Sequence, residues 1–133
     1  MKEYAMYDEF IKPYWAPSPE VFGPVWSVLY LLIFISFGYV FYRFMRKKLD
    51  GDVALPFALN IIFNLFFTPI LFGIGNLWLA TLDILLVLGT LIWAVAVAWR
   101  QKKMRWVVYM NIPYLLWVIF ATMLQLTILF LNS

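Results

Sequence analysis

Trp15-Ala16-Pro17-Ser18-Pro19-Glu20-Val21-Phe22-Gly23-Pro24-Val25-Trp26 is where a proline-stiffened aromatic tail turns into a long apolar run. Proline fixes φ near about −65° and removes a backbone donor, and it pushes the preceding residue out of the helical region. The spacing predicts an extended segment from Trp15 to Pro19 and a helix starting at Glu20 or Val21. From there outward the chain falls into four apolar runs, 21–42, 53–72, 77–99 and 106–131. Each is long enough to cross a hydrocarbon core of roughly 30 Å.

The composition agrees. Of 133 residues, 65% are hydrophobic and 13% charged, whereas soluble domains carry roughly 25% charged residues; mean hydropathy is +0.88. The expected fold is all-α: a polytopic bundle of four transmembrane helices in one domain, preceded by an aromatic and proline-rich arm over residues 1–20. The net charge of +3 is modest and its cations cluster in short loops, so no nucleic-acid partner is expected. Cysteine and histidine are absent. That removes disulfides, thiolate nucleophiles, imidazole bases and the usual zinc, copper and haem-iron ligands. No catalytic residue, metal ligand or obligatory cofactor is nominated. The first apolar run begins too late and is too long for a cleavable signal peptide.

In the arm, Tyr4, Tyr7, Phe10, Tyr14 and Trp15 stand among Lys2, Lys12 and four acids. Such rings suit the headgroup level, either as an anchoring belt or as a lid over a pocket. Phe22, Trp26 and Tyr30 recur every fourth residue and share one helix face. Asn60 and Asn64 share a face of the second run, ahead of Thr68-Pro69. Amides in hydrocarbon need partners, so this face points into protein, as interhelical glue or as a polar patch for a ligand. Asp83 is the one acid well inside an apolar run. It would cost roughly 2.5–3.5 kcal/mol near the bilayer centre, so a structural partner or direct contact with substrate or proton is expected. In the fourth run Pro113 frees a carbonyl one turn earlier and predicts a kink beside a cavity. Pro113, Trp117, Phe120 or Ala121, Leu124 and Ile128 would form its inner stripe.

Four spans place both termini on one side. Residues 43–48 and 100–105 each carry four Lys or Arg, against Lys2 and Lys12 opposite. By the positive-inside rule, loops 43–52 and 100–105 are cytoplasmic and both termini extracytoplasmic, in what reads as a prokaryotic cell membrane.

Taken in order, several motifs resemble the TspO family, the tryptophan-rich sensory proteins related to the mitochondrial translocator protein or peripheral benzodiazepine receptor. Tyr7-Asp8, then Lys12-Pro13-Tyr14-Trp15-Ala16-Pro17, Phe22 and Trp26 resemble the family's first loop and second helix. Asn60-Ile61-Ile62-Phe63-Asn64 with Thr68-Pro69 and Phe72-Gly73 is similar to its third helix, and Asn76 through Asp83 to the start of its fourth. Pro113-Tyr114-Leu115-Leu116-Trp117 with Ala121-Thr122 resembles its fifth. The chain departs from the pattern at Ser18, Tyr14, Phe67 and Gln125, and it begins where the family's first loop would, so the family's first helix is expected to be missing. No Lys or Arg follows Arg105, so the tyrosine-plus-cation pattern associated with sterol binding is not formed at the C-terminus.

The resemblance implies a homodimeric bundle in membrane lipid; a homodimer neighbour, another protein's helix or lipid is expected to compensate for the missing helix. It implies a cavity for porphyrins and, in some members, sterols. The ligand-binding residues expected on this basis are Trp15, Pro17, Phe22, Trp26, Tyr30, Asn60, Asn64, Asp83, Pro113, Tyr114, Trp117 and Ala121. With no histidine, free-base porphyrin held by stacking is the expected ligand, in binding, transport or sensing. Two other functions compete: a light-dependent porphyrin-degrading enzyme, and a small proton-coupled multidrug exporter working through Asp83.

Overall fold

The computed structural model of the chain describes residues 13–17, 19–70 and 76–132. Their helices are α1 (Pro19–Met45), α2 (Gly51–Thr68), α3 (Leu77–Arg100), a short α4 (Arg105–Met110) and α5 (Ile112–Leu131), with one 3-10 turn, Lys102–Met104, before α4. No strand occurs among the described residues. The aromatic positions Tyr4, Tyr7 and Phe10, Ser18 and the Phe72-Gly73 motif lie outside them.

α3 is the centre of the bundle, packed along α2 on one side and α5 on the other, while α1 leans on α2 and α4. Ala80, Ala94 and Ala98 lie on its fully buried stripe, and small residues let helix backbones approach closely. Around that stripe the core takes Leu29, Ile33, Phe37 and Val40 from α1, Phe57 from α2, and Tyr114 and Val118 from α5. The outer surface is apolar as well: Phe34 is 79% exposed, Trp78 70% and Phe130 80%. Bulky residues facing outward along whole helices suit lipid. α1, α3 and α5 are each long and apolar enough to cross a membrane.

α2 as described spans 18 residues, about 27 Å at the helical rise, and is a shorter apolar helix beside these three, an arrangement consistent with a membrane helical bundle. Other expectations need correcting. The arm is not extended at Trp15: the Ala16 N–H donates to the Pro13 carbonyl at 3.1 Å, closing a turn over Tyr14 and Trp15. The prolines at 17 and 19 restrict themselves and their predecessors, leaving Tyr14 and Trp15 free to turn. α1 starts at Pro19, which is tolerated there because a first-turn N–H has no helical partner to lose. α2 takes in Gly51 and Asp52 ahead of the expected start at position 53, with Asp50 as N-cap.

The fourth run is two helices. Asn111 separates α4 from α5, and Pro113, having no N–H, cannot bond the carbonyl of Tyr109. The Asn111 N–H instead reaches the carbonyls of Val107 and Val108, at 3.2 and 3.1 Å. Its side chain donates to the Val107 carbonyl at 2.8 Å and across to Ser36 Oγ at 3.0 Å, tying the break to α1.

Candidate functional site

Two structures made from the same helices define the site, one polar and closed, the other aromatic and open.

The polar structure begins on α1. Tyr30 Oη donates to Asn64 Oδ1 at 2.7 Å, and Asn64 Nδ2 donates to Tyr114 Oη at 2.7 Å. Tyr114 Oη in turn donates to Asn60 Oδ1 at 2.9 Å. Asn60 Nδ2 then donates to the Val87 carbonyl at 3.0 Å and to Thr90 Oγ1 at 3.3 Å. α1, α2, α5 and α3 are thus linked through one chain of hydrogen bonds. It exists because Asn60 and Asn64 are one helical turn apart, so both reach the same tyrosine hydroxyl on α5. Asn60 and Tyr114 are wholly buried and Asn64 nearly so. Buried amides must be paired, and here the protein itself pairs them. A second link lies nearer the start of α3, where Gln125 Nε2 donates to Thr81 Oγ1 at 3.1 Å.

Asp83, one turn before Val87 on α3, is buried, and its Oδ2 has no hydrogen-bond partner among the described residues. The structural partner expected for it is therefore not seen there.

The aromatic structure lies between α1 and α5. Phe22, Trp26 and Tyr30 do share a face: Trp26 stacks on Tyr30 with centroids 5.4 Å apart. Trp26 meets Trp117 edge to face at 6.4 Å and Tyr114 at 6.3 Å, and Phe22 meets Trp117 at 6.1 Å. Phe120 extends the cluster, 5.5 Å from Trp117 and 5.7 Å from Trp15. Trp15, Trp26 and Trp117 therefore converge, with Phe120 as the bridge to the arm. Beside them runs an open groove of about 580 Å³ lined by Pro24, Val25, Val28, Leu29, Pro113, Leu116, Trp117 and Phe120. That is within the range of roughly 300–1,000 Å³ typical of small-molecule pockets. Trp117 Nε1 is buried and has no hydrogen-bond partner among the described residues.

Of the twelve expected residues, Trp15, Phe22, Trp26, Tyr30, Tyr114 and Trp117 form one aromatic cluster, and Pro113 lines the groove beside it. Asn60 and Asn64 lie behind it in the polar chain, with the partners just given. Ala121 packs on the main core and does not line the groove. Pro17 is half-buried ahead of α1. Sequence reasoning missed Pro24, Val25, Val28, Leu29 and Leu116 as groove walls. Pro24 carried the one available signal, since a proline inside an apolar helix marks a place where backbone geometry is altered.

The chain matches the model of the TspO/MBR family over residues 1–131. It is 38% identical to the tryptophan-rich protein TspO of Bacillus cereus, over 95% of this chain and 80% of that protein. The tryptophan-rich sensory protein of Cereibacter sphaeroides is 29% identical over 99% of this chain and 80% of its own length. Human translocator protein is 35% identical over 86% of this chain and 67% of its own. With its long apolar helices, its lipid-suited surface and these matches, the chain is an integral membrane protein belonging to the TspO/MBR family.

Proposed function

We propose that this protein binds a flat, hydrophobic tetrapyrrole of the free-base porphyrin type in the groove between α1 and α5, and senses or carries it within the membrane. Family membership supports the broader role in membrane ligand binding or sensing, as the sensory and translocator names of the relatives indicate. The observation that carries the finer reading is the apolar groove lined by Trp117 and Phe120, with Trp26 packed edge to face on Trp117 and Trp15 on Phe120. Their π-faces suit a flat polarizable macrocycle, and the described residues include no histidine or cysteine to ligate a metal at its centre. On this reading the spent amides of Asn60 and Asn64 hold Tyr30 and Tyr114 in place and do not touch the ligand. α2 completes a fourth span, the basic loops face the cytoplasm, and the protein works as a homodimer.

Titrating the purified protein with protoporphyrin should quench tryptophan fluorescence. Losing one aromatic contact is worth about 0.5–1.5 kcal/mol, so Trp26→Leu and Trp117→Leu should each weaken binding about twofold to tenfold. Trp93→Leu, on the outer face of α3, should leave it unchanged. Equal affinities in all three variants would remove the groove from consideration.

A further inference from the structure

A second cavity, of about 350 Å³, lies at the opposite end of α1, lined by Tyr39, Tyr42, Arg43, Arg46, Lys48 and Lys103. We propose that it binds a phosphate group, presented by an anionic lipid headgroup or by a free phosphate. The positive-inside bias accounts for cations in this loop but not for their convergence on one cavity with two tyrosines.

Three features make the cavity a built one. First, none of its four cations forms an ion pair with a carboxylate among the described residues, and the Nε of Arg43 is buried without a hydrogen-bond partner. Arg105 shows the contrast: its Nε donates to the Trp99 carbonyl at 3.1 Å and its guanidinium lies 4.5 Å from the Trp99 ring centroid, so it is engaged elsewhere. Second, the tyrosines position the arginines. Arg43 Nη1 donates to Tyr39 Oη at 2.9 Å, which leaves the tyrosine's own O–H to donate. Tyr39 is itself held by Trp106 of α4, ring centroids 4.8 Å apart, and Arg46 sits over Tyr42 at 5.9 Å. Third, the backbone is turned to bring Lys48 to Arg43. The Lys48 N–H donates to the Arg43 carbonyl at 2.8 Å and the Lys47 N–H to the Phe44 carbonyl at 3.0 Å, the pairing of a Schellman end. Lys47 holds φ 59°, where glycine ordinarily stands.

Guanidinium forks, ammonium groups and a phenolic donor match phosphate oxygens better than a single carboxylate. Basic pockets between helices at this level of a membrane protein suit anionic headgroups.

The test is thermal unfolding of the full chain in detergent micelles, titrated with short-chain phosphatidic acid, short-chain phosphatidylcholine or inorganic phosphate. Phosphatidic acid should raise the unfolding temperature and phosphatidylcholine should not. Arg43→Gln should weaken the apparent affinity about tenfold, or ~1.4 kcal/mol. Lys103→Gln, at an exposed position, should weaken it less and keeps the test decisive if Arg43→Gln does not fold. Arg100→Gln removes an exposed cation outside the cavity and should bind as the parent does. A shift with inorganic phosphate identifies a free-phosphate site, and a shift with the lipid alone identifies a headgroup site; both support the proposal. No shift with either phosphate source, an equal shift with phosphatidylcholine, or an Arg100→Gln loss equal to that of Lys103→Gln would overturn it.

Discussion

Replacing Tyr114 by Phe removes one oxygen atom from the middle of the bundle and leaves the ring where it is. That oxygen accepts from Asn64 Nδ2 at 2.7 Å and donates to Asn60 Oδ1 at 2.9 Å, at a residue with no exposed surface. Two scales bear on the cost. In a water-soluble core each buried group left unpaired costs about 1–3 kcal/mol, which would make the substitution severe. Between membrane helices, measured hydrogen-bond contributions average about 0.6 kcal/mol, with a maximum near 1.7, because the separated helices find other partners in the membrane. The membrane scale should prevail, since neither amide is stranded altogether. Asn60 keeps its bonds to the Val87 carbonyl and Thr90, and Asn64 keeps Tyr30. Two lost bonds on that scale give a destabilisation of about 1–2 kcal/mol. Tyr30→Phe breaks the 2.7 Å bond to Asn64 at a residue 39% exposed, and loss of that bond should cost about 0.5 kcal/mol. The assay is unfolding in mixed micelles with rising sodium dodecyl sulfate, followed by far-ultraviolet circular dichroism. If Tyr114→Phe unfolds within about 0.3 kcal/mol of the parent, or costs less than Tyr30→Phe, the hydrogen-bond chain does not hold these helices together.

Lys47→Gly should stabilise the protein by about 1 kcal/mol in the same unfolding assay, because glycine relieves the left-handed backbone at φ 59° that an L side chain strains. Unchanged stability would mean that the end of α1 is not held in that conformation. Asp83→Asn should leave porphyrin affinity within about twofold of the parent if the ligand is held by aromatic contact alone. Loss of drug resistance in cells carrying the variant, with porphyrin binding intact, would instead favour the proton-coupled exporter.

The parts of this architecture legible in the sequence are those set by local chemistry. Runs of apolar residues gave the long helices, the i, i+4 spacing gave the shared face of Phe22, Trp26 and Tyr30, and Pro113 gave a break in the last run. The cost of burying amides showed that Asn60 and Asn64 must face protein, but not with whom. Their partners are up to 54 residues away, on α1, α3 and α5, and nothing in the local pattern distinguishes Tyr114, which closes the polar chain, from Trp117 one turn on, which faces the groove. The position of the break escaped for a similar reason. Proline states that a carbonyl is freed, whereas the hinge falls at Asn111 because its side chain finds both Val107 and Ser36, and the second of these is 75 residues distant. Phe120 as the bridge between Trp15 and Trp117 likewise depends on packing between an arm and a helix far apart in the chain.

The closure of the polar chain has a consequence for recognition. Ligand specificity in apolar pockets ordinarily comes from a few polar groups left free to meet the ligand. Here the amides and hydroxyls of Asn60, Asn64 and Tyr114 are committed to one another, to Tyr30 and to α3, so they fix the spacing of the helices instead. The groove in front of them offers aromatic and aliphatic surface, walled by Pro24 on α1 and Pro113 on α5. Contacts of that kind reward flatness, polarizability and size but discriminate weakly among molecules that share them, since a methylene more or less is worth only about 1–3 kcal/mol. A site so constructed should therefore accept a family of flat hydrophobic ligands with graded affinities. Sharper selection would require opening the polar chain, and Tyr30 is its most exposed residue.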